Sequence, residues 1–184
     1  MNTDSYESTP AVAIRELLGP VRQLGYVVAD VEAAATDWVS RLGIGPWRIK
    51  HGITFGDCQY MGNPVDVEVG IATAFSGGFE VKLMAQARGP KTMYSDFFDS
   101  SGPGAQHVCF YPTDFAAARD IMVATGSSVV FSGLVGATDF AYLDDGAGQV
   151  VELAAVPADR LGSRTQRASA ATTWDGTNPL EVVT

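Results

Sequence analysis

The chain repeats its own grammar, and that repeat constrains its fold more than any other feature. "VRQLGYVVADVEAAATDWVSRLGIGPW" and "QHVCFYPTDFAAARDIMVATGSSVVF" each read as a β-rich run, a helix cap, an amphipathic helix and a glycine stop. Gln23 corresponds to His107 and Asp30 to Asp114, both pairs 84 apart, and Gly43 corresponds to Gly126 at 83. So even an offset marks an internal duplication, in which each copy is one supersecondary unit and the two complete a shared core.

Within the first copy, Asp30 is a good N-cap, and Val31, Ala34, Ala35, Trp38, Val39 and Leu42 recur at helical spacing before Gly43. In the second, Asp114 is the cap and Phe115, Ala118 and Met122 form the apolar face. Three β-like segments follow each helix: "WRIKHGITF", "VDVEVGIATAF" and "GFEVKLMAQ", then "SSVVFSG", "TDFAYLDD" and "QVVELAAVP". The class is therefore α+β, with each half reading β-α-β-β-β. The boundaries are an N-terminal arm at 1–18, modules at 19–86 and 105–157, a linker at 87–104 with a short aromatic helix candidate, and a tail at 158–184. Rich in Ser, Thr, Ala and Gly, the tail is expected to be loosely ordered, with Trp174, Pro179 and Leu180 available to anchor it on its own domain or on a partner subunit.

At 184 residues and 46% hydrophobic, the chain has enough apolar content to bury a core. A net charge of -9 argues against nucleic acid as a partner, because phosphate backbones are bound by Lys and Arg. No apolar run approaches a bilayer span, and the N-terminus lacks the form of a secretory signal. Cys58 and Cys109 lie in strand-like stretches without CxxC spacing and read as small core residues of a reduced compartment. A soluble, cytoplasmic protein without a membrane partner is expected.

One strand poses a question. In "FEVKLMAQ", residues 79–86, alternation places Phe79, Val81 and Leu83 on one face and Glu80, Lys82 and Met84 on the other. In isolation this is a half-solvated strand with Glu80 and Lys82 on its wet side.

The phrases "LGYVVADVEAAATDWVSRLGIGPW", "YSDFFDSSGPGAQHVCFYPTDFAAA" and "FAYLDDGAGQVVELAAVP" resemble the vicinal oxygen chelate superfamily of glyoxalases, bleomycin resistance proteins and extradiol dioxygenases, in particular glyoxalase-like members near methylmalonyl-CoA epimerase. The likeness covers roughly residues 19–157. It implies two paired βαβββ modules curled into a cupped mixed sheet with helices outside, and a divalent metal and substrate inside the cup.

Carried over by position, the resemblance implies Gln23, His107 and Glu152 as metal ligands from the first strands and the second module's last strand. Such a set suits Mg, Mn, Co, Ni, Fe or Zn. The fourth ligand position, where "VKLMAQ" matches "VELAAV", holds Lys82, whose protonated amine has no lone pair to give. Three readings stand. The metal is kept, with Glu80 replacing the missing carboxylate; or Lys82 replaces the metal and pairs with Glu152; or the site is catalytically dead. Against these, Gln23 also reads as a polar strand start and His107 as a hydrogen-bonded core histidine. Glu152, inside an apolar strand, needs a partner in any case. His51 reads as an exposed or rim residue, and Trp47, Tyr60, Phe140 and Tyr142 as core or pocket wall.

The implied activity is that of an isomerase, epimerase or lyase acting on a small carbonyl or thioester compound. Glu152 or Glu80 would be the base, and a metal or Lys82 the electrophile. A Schiff base on Lys82 is a further variant. The competing reading is a non-catalytic binding protein of the bleomycin-resistance type, for which the acidic composition favours a cationic ligand. Related folds often dimerise, so a homodimer is expected.

Overall fold

The computed structural model describes residues 10–183. Of the expected N-terminal arm, residues 10–18 form helix α1 (Pro10–Leu18), and the remainder lies outside the described residues. The first copy runs β1 (Val21–Val27), α2 (Val31–Leu42), β2 (Trp47–Thr54), a hairpin of β3 (Gly56–Tyr60) and β4 (Asn63–Pro64), β5 (Glu68–Ser76) and β6 (Phe79–Arg88). Helix α3 (Met93–Ser101) follows as the link. The second copy is β7 (Gly104–Phe110), α4 (Phe115–Ala124), β8 (Ser128–Val135), β9 (Thr138–Asp144) and β10 (Val150–Ala154). Helix α5 (Ala158–Ala171) and β11 (Leu180–Val183) complete the described chain.

Both helix caps act as their residue types dictate. The Asp30 carboxylate accepts from the Glu32 and Ala33 amides, and Gly43 ends α2 at φ 64°, in the left-handed region. Asp114 accepts from the Ala117 amide at the start of α4. Val31 and Ala35 of α2 are buried against Trp47, Ile49, Ala72, Ala74, Val81 and Leu83. Leu42, read as part of that apolar face, is instead 60% exposed, since it falls on the last turn beyond the sheet. Ala118 of α4 packs on Ala141, Leu143 and Leu153.

All strands join one curved, open, mixed sheet in the order β11-β2-β5-β6-β1-β7-β10-β9-β8-β3-β4. The duplication is visible in that order: β2-β5-β6-β1 and β8-β9-β10-β7 are the same arrangement read inward from either side. First strands β1 and β7 pair antiparallel at the centre, and last strands β6 and β10 flank them in parallel. The sites expected from the sequence therefore lie on four adjacent strands. A third cluster, with Tyr94 of α3 among Phe131, Phe140 and Tyr142, fills the space beside them, its rings meeting mostly edge-on at 5.0–6.1 Å.

Two parts differ from the sequence reading. The β3–β4 hairpin leaves its own module and pairs β3 with β8 of the other, a cross-module exchange that β-propensity does not report. The tail, expected to be loosely ordered, forms α5 and β11. β11 extends the sheet in parallel with β2, while the Trp174 ring covers Gly45, where a Cβ would come within 2.7 Å of it. An anchor expected of Trp174 thus exists within this chain.

Candidate active site

Period-two alternation sends the two faces of each central strand to different places. Val81 and Leu83 of β6 face α2, while Glu80, Lys82 and Met84 line a cavity of about 680 Å³ on the other side. The Lys82 stretch that resembled a wet strand is thus buried, because the face opposite α2 is closed by the second module and by α5.

Register brings the expected residues together. Gln23 and Gly25 of β1 stand beside Glu80 and Lys82 of β6, and Gly25 faces His107 of β7. Glu152 of β10 is alongside Cys109. Gly25 has a specific function here: a Cβ at that position would lie 1.9 Å from His107 Cε1 and 2.1 Å from Nε2, so only glycine lets the imidazole lie across β1.

Two ionic groups share the floor. In one, Lys82 Nζ donates to Glu152 Oε2 at 2.5 Å and to the Tyr142 hydroxyl at 3.4 Å. Tyr142 also accepts from Tyr94 at 3.0 Å and meets the His107 ring edge-on at 4.9 Å. In the other, Glu80 Oε2 accepts from Gln23 Nε2 at 2.8 Å and Tyr111 at 2.9 Å, and pairs with Arg164. Arg167 Nη1 is 3.9 Å from Glu80 Oε1, which has no hydrogen-bond partner.

The protonation states follow from burial and charge. Burial opposes ionisation of Glu152, but the Lys82 ammonium outweighs it and holds the carboxyl well below the usual range. Burial, helped by Lys82, lowers His107 and keeps it neutral. Burial pushes the Tyr94, Tyr111 and Tyr142 phenols up, so they remain donors.

The His107 tautomer is assigned by its neighbours. Gln106 Nε2 donates to the Met93 carbonyl at 2.9 Å, leaving Gln106 Oε1, at 3.1 Å, to accept from His107 Nδ1–H. His107 Nε2 then has no hydrogen-bond partner. Glu152 Oε2 is 3.1 Å away, but without the alignment of an N–H···O bond.

That bare nitrogen and the nearby carboxylate are the features best suited to a divalent ion, and the rest of the set does not fit one. Lys82 places an ammonium in the fourth ligand position and engages Glu152, while the Gln23 amide is turned to Glu80. Glu80, weighed as a replacement ligand, is taken up by Arg164, Gln23 and Tyr111. Among the described residues, no three or more His, Cys, Asp or Glu side chains group to hold a metal. A second cation beside Lys82 would meet direct repulsion.

Of the other candidates, His51 is exposed and pairs with Glu32 at 2.7 Å, away from the cavity. Phe140 and Tyr142 are cavity wall, Trp47 is core behind α2, and Tyr60 donates to Asp96 at 2.7 Å. Cys58 and Cys109 are buried, and Cys109 lines the cavity. Sequence reasoning missed Tyr111, Arg164 and Arg167. The arginines had a legible signal, since Arg160, Arg164 and Arg167 recur at helical spacing along one face of α5. They also overturn the cationic-ligand expectation, because the cavity lining is net positive in a net-negative chain.

The Glyoxalase/Bleomycin resistance protein/Dioxygenase superfamily model matches residues 22–143. No curated protein matches. Among solved structures, methylmalonyl-CoA epimerase from Mycobacterium tuberculosis is similar at TM-score 0.56 and 19% identity, covering 80% of this chain and 94% of its own. A hypothetical protein from Bacillus halodurans C-125 aligns at TM-score 0.53 and 16% identity over 73% of this chain and 92% of its own. A further methylmalonyl-CoA epimerase, a selenomethionine form, gives 0.50 at 16% over 74% and 94%. At these identities the solved structures share the fold alone, whereas the family model spans well over half of the sequence. The chain belongs to the Glyoxalase/Bleomycin resistance protein/Dioxygenase superfamily.

Proposed function

We propose that this protein removes a proton from the carbon next to a carbonyl or thioester, as an isomerase, epimerase or lyase does, with the Lys82 ammonium as electrophile in place of a metal. The observation that carries this reading is the buried Lys82 Nζ, held at 2.5 Å by Glu152 at the bottom of a cavity able to admit a small molecule. An ammonium has three donors, of which Glu152 and Tyr142 take two. The third is available to a substrate carbonyl oxygen, where negative charge develops as the C–H bond breaks.

Glu80 is the better base of the two carboxylates considered. Glu152 is held ionised by Lys82, which makes it a weak proton acceptor. Glu80, although its Oε2 is engaged, has in Oε1 a buried oxygen that accepts no hydrogen bond, on the same strand face as Lys82. The proton passes from carbon to Glu80 Oε1, the C–H electron pair moves into an enolate, and Lys82 stabilises its oxygen. Return of a proton, or departure of a β-substituent, completes the reaction. Epimerisation of methylmalonyl-CoA, the activity named for two of the neighbours, is chemistry of this class; at 16–19% identity it lends the fold, and the site residues carry the argument.

A sequestering protein of the bleomycin-resistance type is the second reading, favoured by the closure of both floor carboxylates in ion pairs. Proton NMR of small 2-oxo acids and thioesters incubated in D2O separates the two. The enzyme reading expects exchange of the α-hydrogen, slowed roughly 100-fold or more by Lys82→Met and by Glu80→Gln. Absence of exchange across the panel, with tight binding of a hydrophobic dye, supports sequestration instead.

A further inference from the structure

Half of the chain's 12 Lys and Arg residues line this cavity: Arg48, Lys50, Lys82, Arg160, Arg164 and Arg167. Among the described Asp and Glu residues, only Glu80 and Glu152 do so. Those two are consumed on the floor by Arg164 and Lys82. Among the described residues, no ion pair within 4.0 Å is made by Arg48, Lys50 or Arg160. The mouth thus carries uncompensated positive charge on a protein whose net charge is -9.

This charge is organised around one point. On β2, alternation sends Trp47 and Ile49 into the core and Arg48 and Lys50 to the cavity. Arg48 is directly opposite Thr73 of β5. The Arg167 guanidinium, reaching down from α5, donates to the Thr73 carbonyl at 2.7 Å and its hydroxyl at 3.0 Å, and lies 5.2 Å from the Phe75 ring centroid. Arg48 and Arg167 therefore converge over Thr73, close enough that, after burial, Arg48 is what most disfavours the charge on Arg167. Glu181, beside Arg48 on β11, is the adjacent acid; it is exposed at the sheet edge and outside the cavity lining. Two like charges directed at one residue, one of them anchored by hydrogen bonds to Thr73, form a receptor for an anion.

We infer that the substrate carries an anionic group, carboxylate or phosphate, seated between Arg48 and Arg167, with its carbonyl directed to Lys82. The inference rests on the reading of this cavity as the substrate site, but not on the chemistry proposed there. Thr73 is directly opposite Lys82 on β5, so an anion there would sit beside the carbonyl and orient the reacting carbon.

Calorimetric titration tests this with three probes: 2-oxobutyrate, methylphosphonate and the neutral ester methyl 2-oxobutanoate. The expected result is binding of at least one anion that weakens with added salt, and much weaker binding of the ester. Arg48→Gln, at an exposed position that the fold tolerates, is expected to weaken anion binding about tenfold, and Arg48→Glu to weaken it further. The tighter anion identifies carboxylate or phosphate. Equal affinity for acid and ester, unchanged affinity in both Arg48 variants, or no binding of either anion at millimolar concentration overturns the inference. Anion binding that persists without any proton exchange would instead remove the proposed reaction and leave this inference standing.

Discussion

Lys82 and Glu152 occupy equivalent positions in the two copies of the duplicated unit and meet across the β1–β7 pair, ammonium to carboxylate, at 2.5 Å. The duplicated position thus holds opposite charges in its two copies. The pair neutralises itself, which is why a lysine is stable at the bottom of the cup: alone, either ion would bear a desolvation cost of several kcal/mol.

Breaking that pair from one side should cost more than removing it. Lys82→Met leaves Glu152 buried beside a neutral His107 and is expected to destabilise the fold by about 3–5 kcal/mol. The double variant Lys82→Met/Glu152→Leu should recover most of the loss. Urea unfolding of the three proteins measures both, with the non-additivity giving the coupling.

Gly25 should be irreplaceable while His107 keeps its position. Gly25→Ala puts a methyl within 2.1 Å of the imidazole and should lower stability by about 1–3 kcal/mol. Adding His107→Ala should relieve the clash, so the double variant unfolds at a higher temperature than the two separate losses would give when summed.

Acid sensitivity should begin early. The folded state keeps His107 neutral, whereas the unfolded chain takes a proton there below about pH 6.5. Stability is therefore expected to fall as pH drops through that value, by up to about 1.4 kcal/mol per pH unit. Glu152, depressed in the fold, adds a second loss as pH falls through the ordinary carboxylate range near 4 and below. Urea midpoints from pH 8 to 4 trace both steps, and His107→Gln should erase the first alone.

Both thiols should be inert in the native protein. Burial pushes Cys58 up to about 11 and Cys109 well above its ordinary value, so little thiolate is present at neutral pH. Ellman's reagent should react with neither until guanidinium unfolds the chain; rapid labelling of native Cys109 would show the cavity floor to be open to large reagents.

The architecture was legible because it was written twice. Caps at Asp30 and Asp114 and a constant offset identify the modules without any long-range information, and alternation in "FEVKLMAQ" correctly separated Lys82 from Leu83. Whether Lys82 faced water or a cavity depended on what stood opposite, which a single strand cannot encode. The roof was illegible for a related reason. In α5, small and polar residues look unstructured by composition, and its order comes from contacts with β5 that the sequence does not announce, notably Arg167 on Thr73. Likewise the pairing of β3 with β8 joins segments some 75 residues apart, with Tyr60 packing edge-on against Phe131 across it, a contact no local pattern reports.

Metal titration of protein purified without chelator tests the central claim, that an ammonium has taken the place of a metal. With Ni2+ and Co2+ in calorimetry, the wild-type chain is predicted to show no micromolar site, whereas Lys82→Glu, which returns a carboxylate to the fourth position beside Gln23, His107 and Glu152, gains one. Near-stoichiometric metal in the wild-type protein, bound at least as tightly as in the variant, would contradict the account.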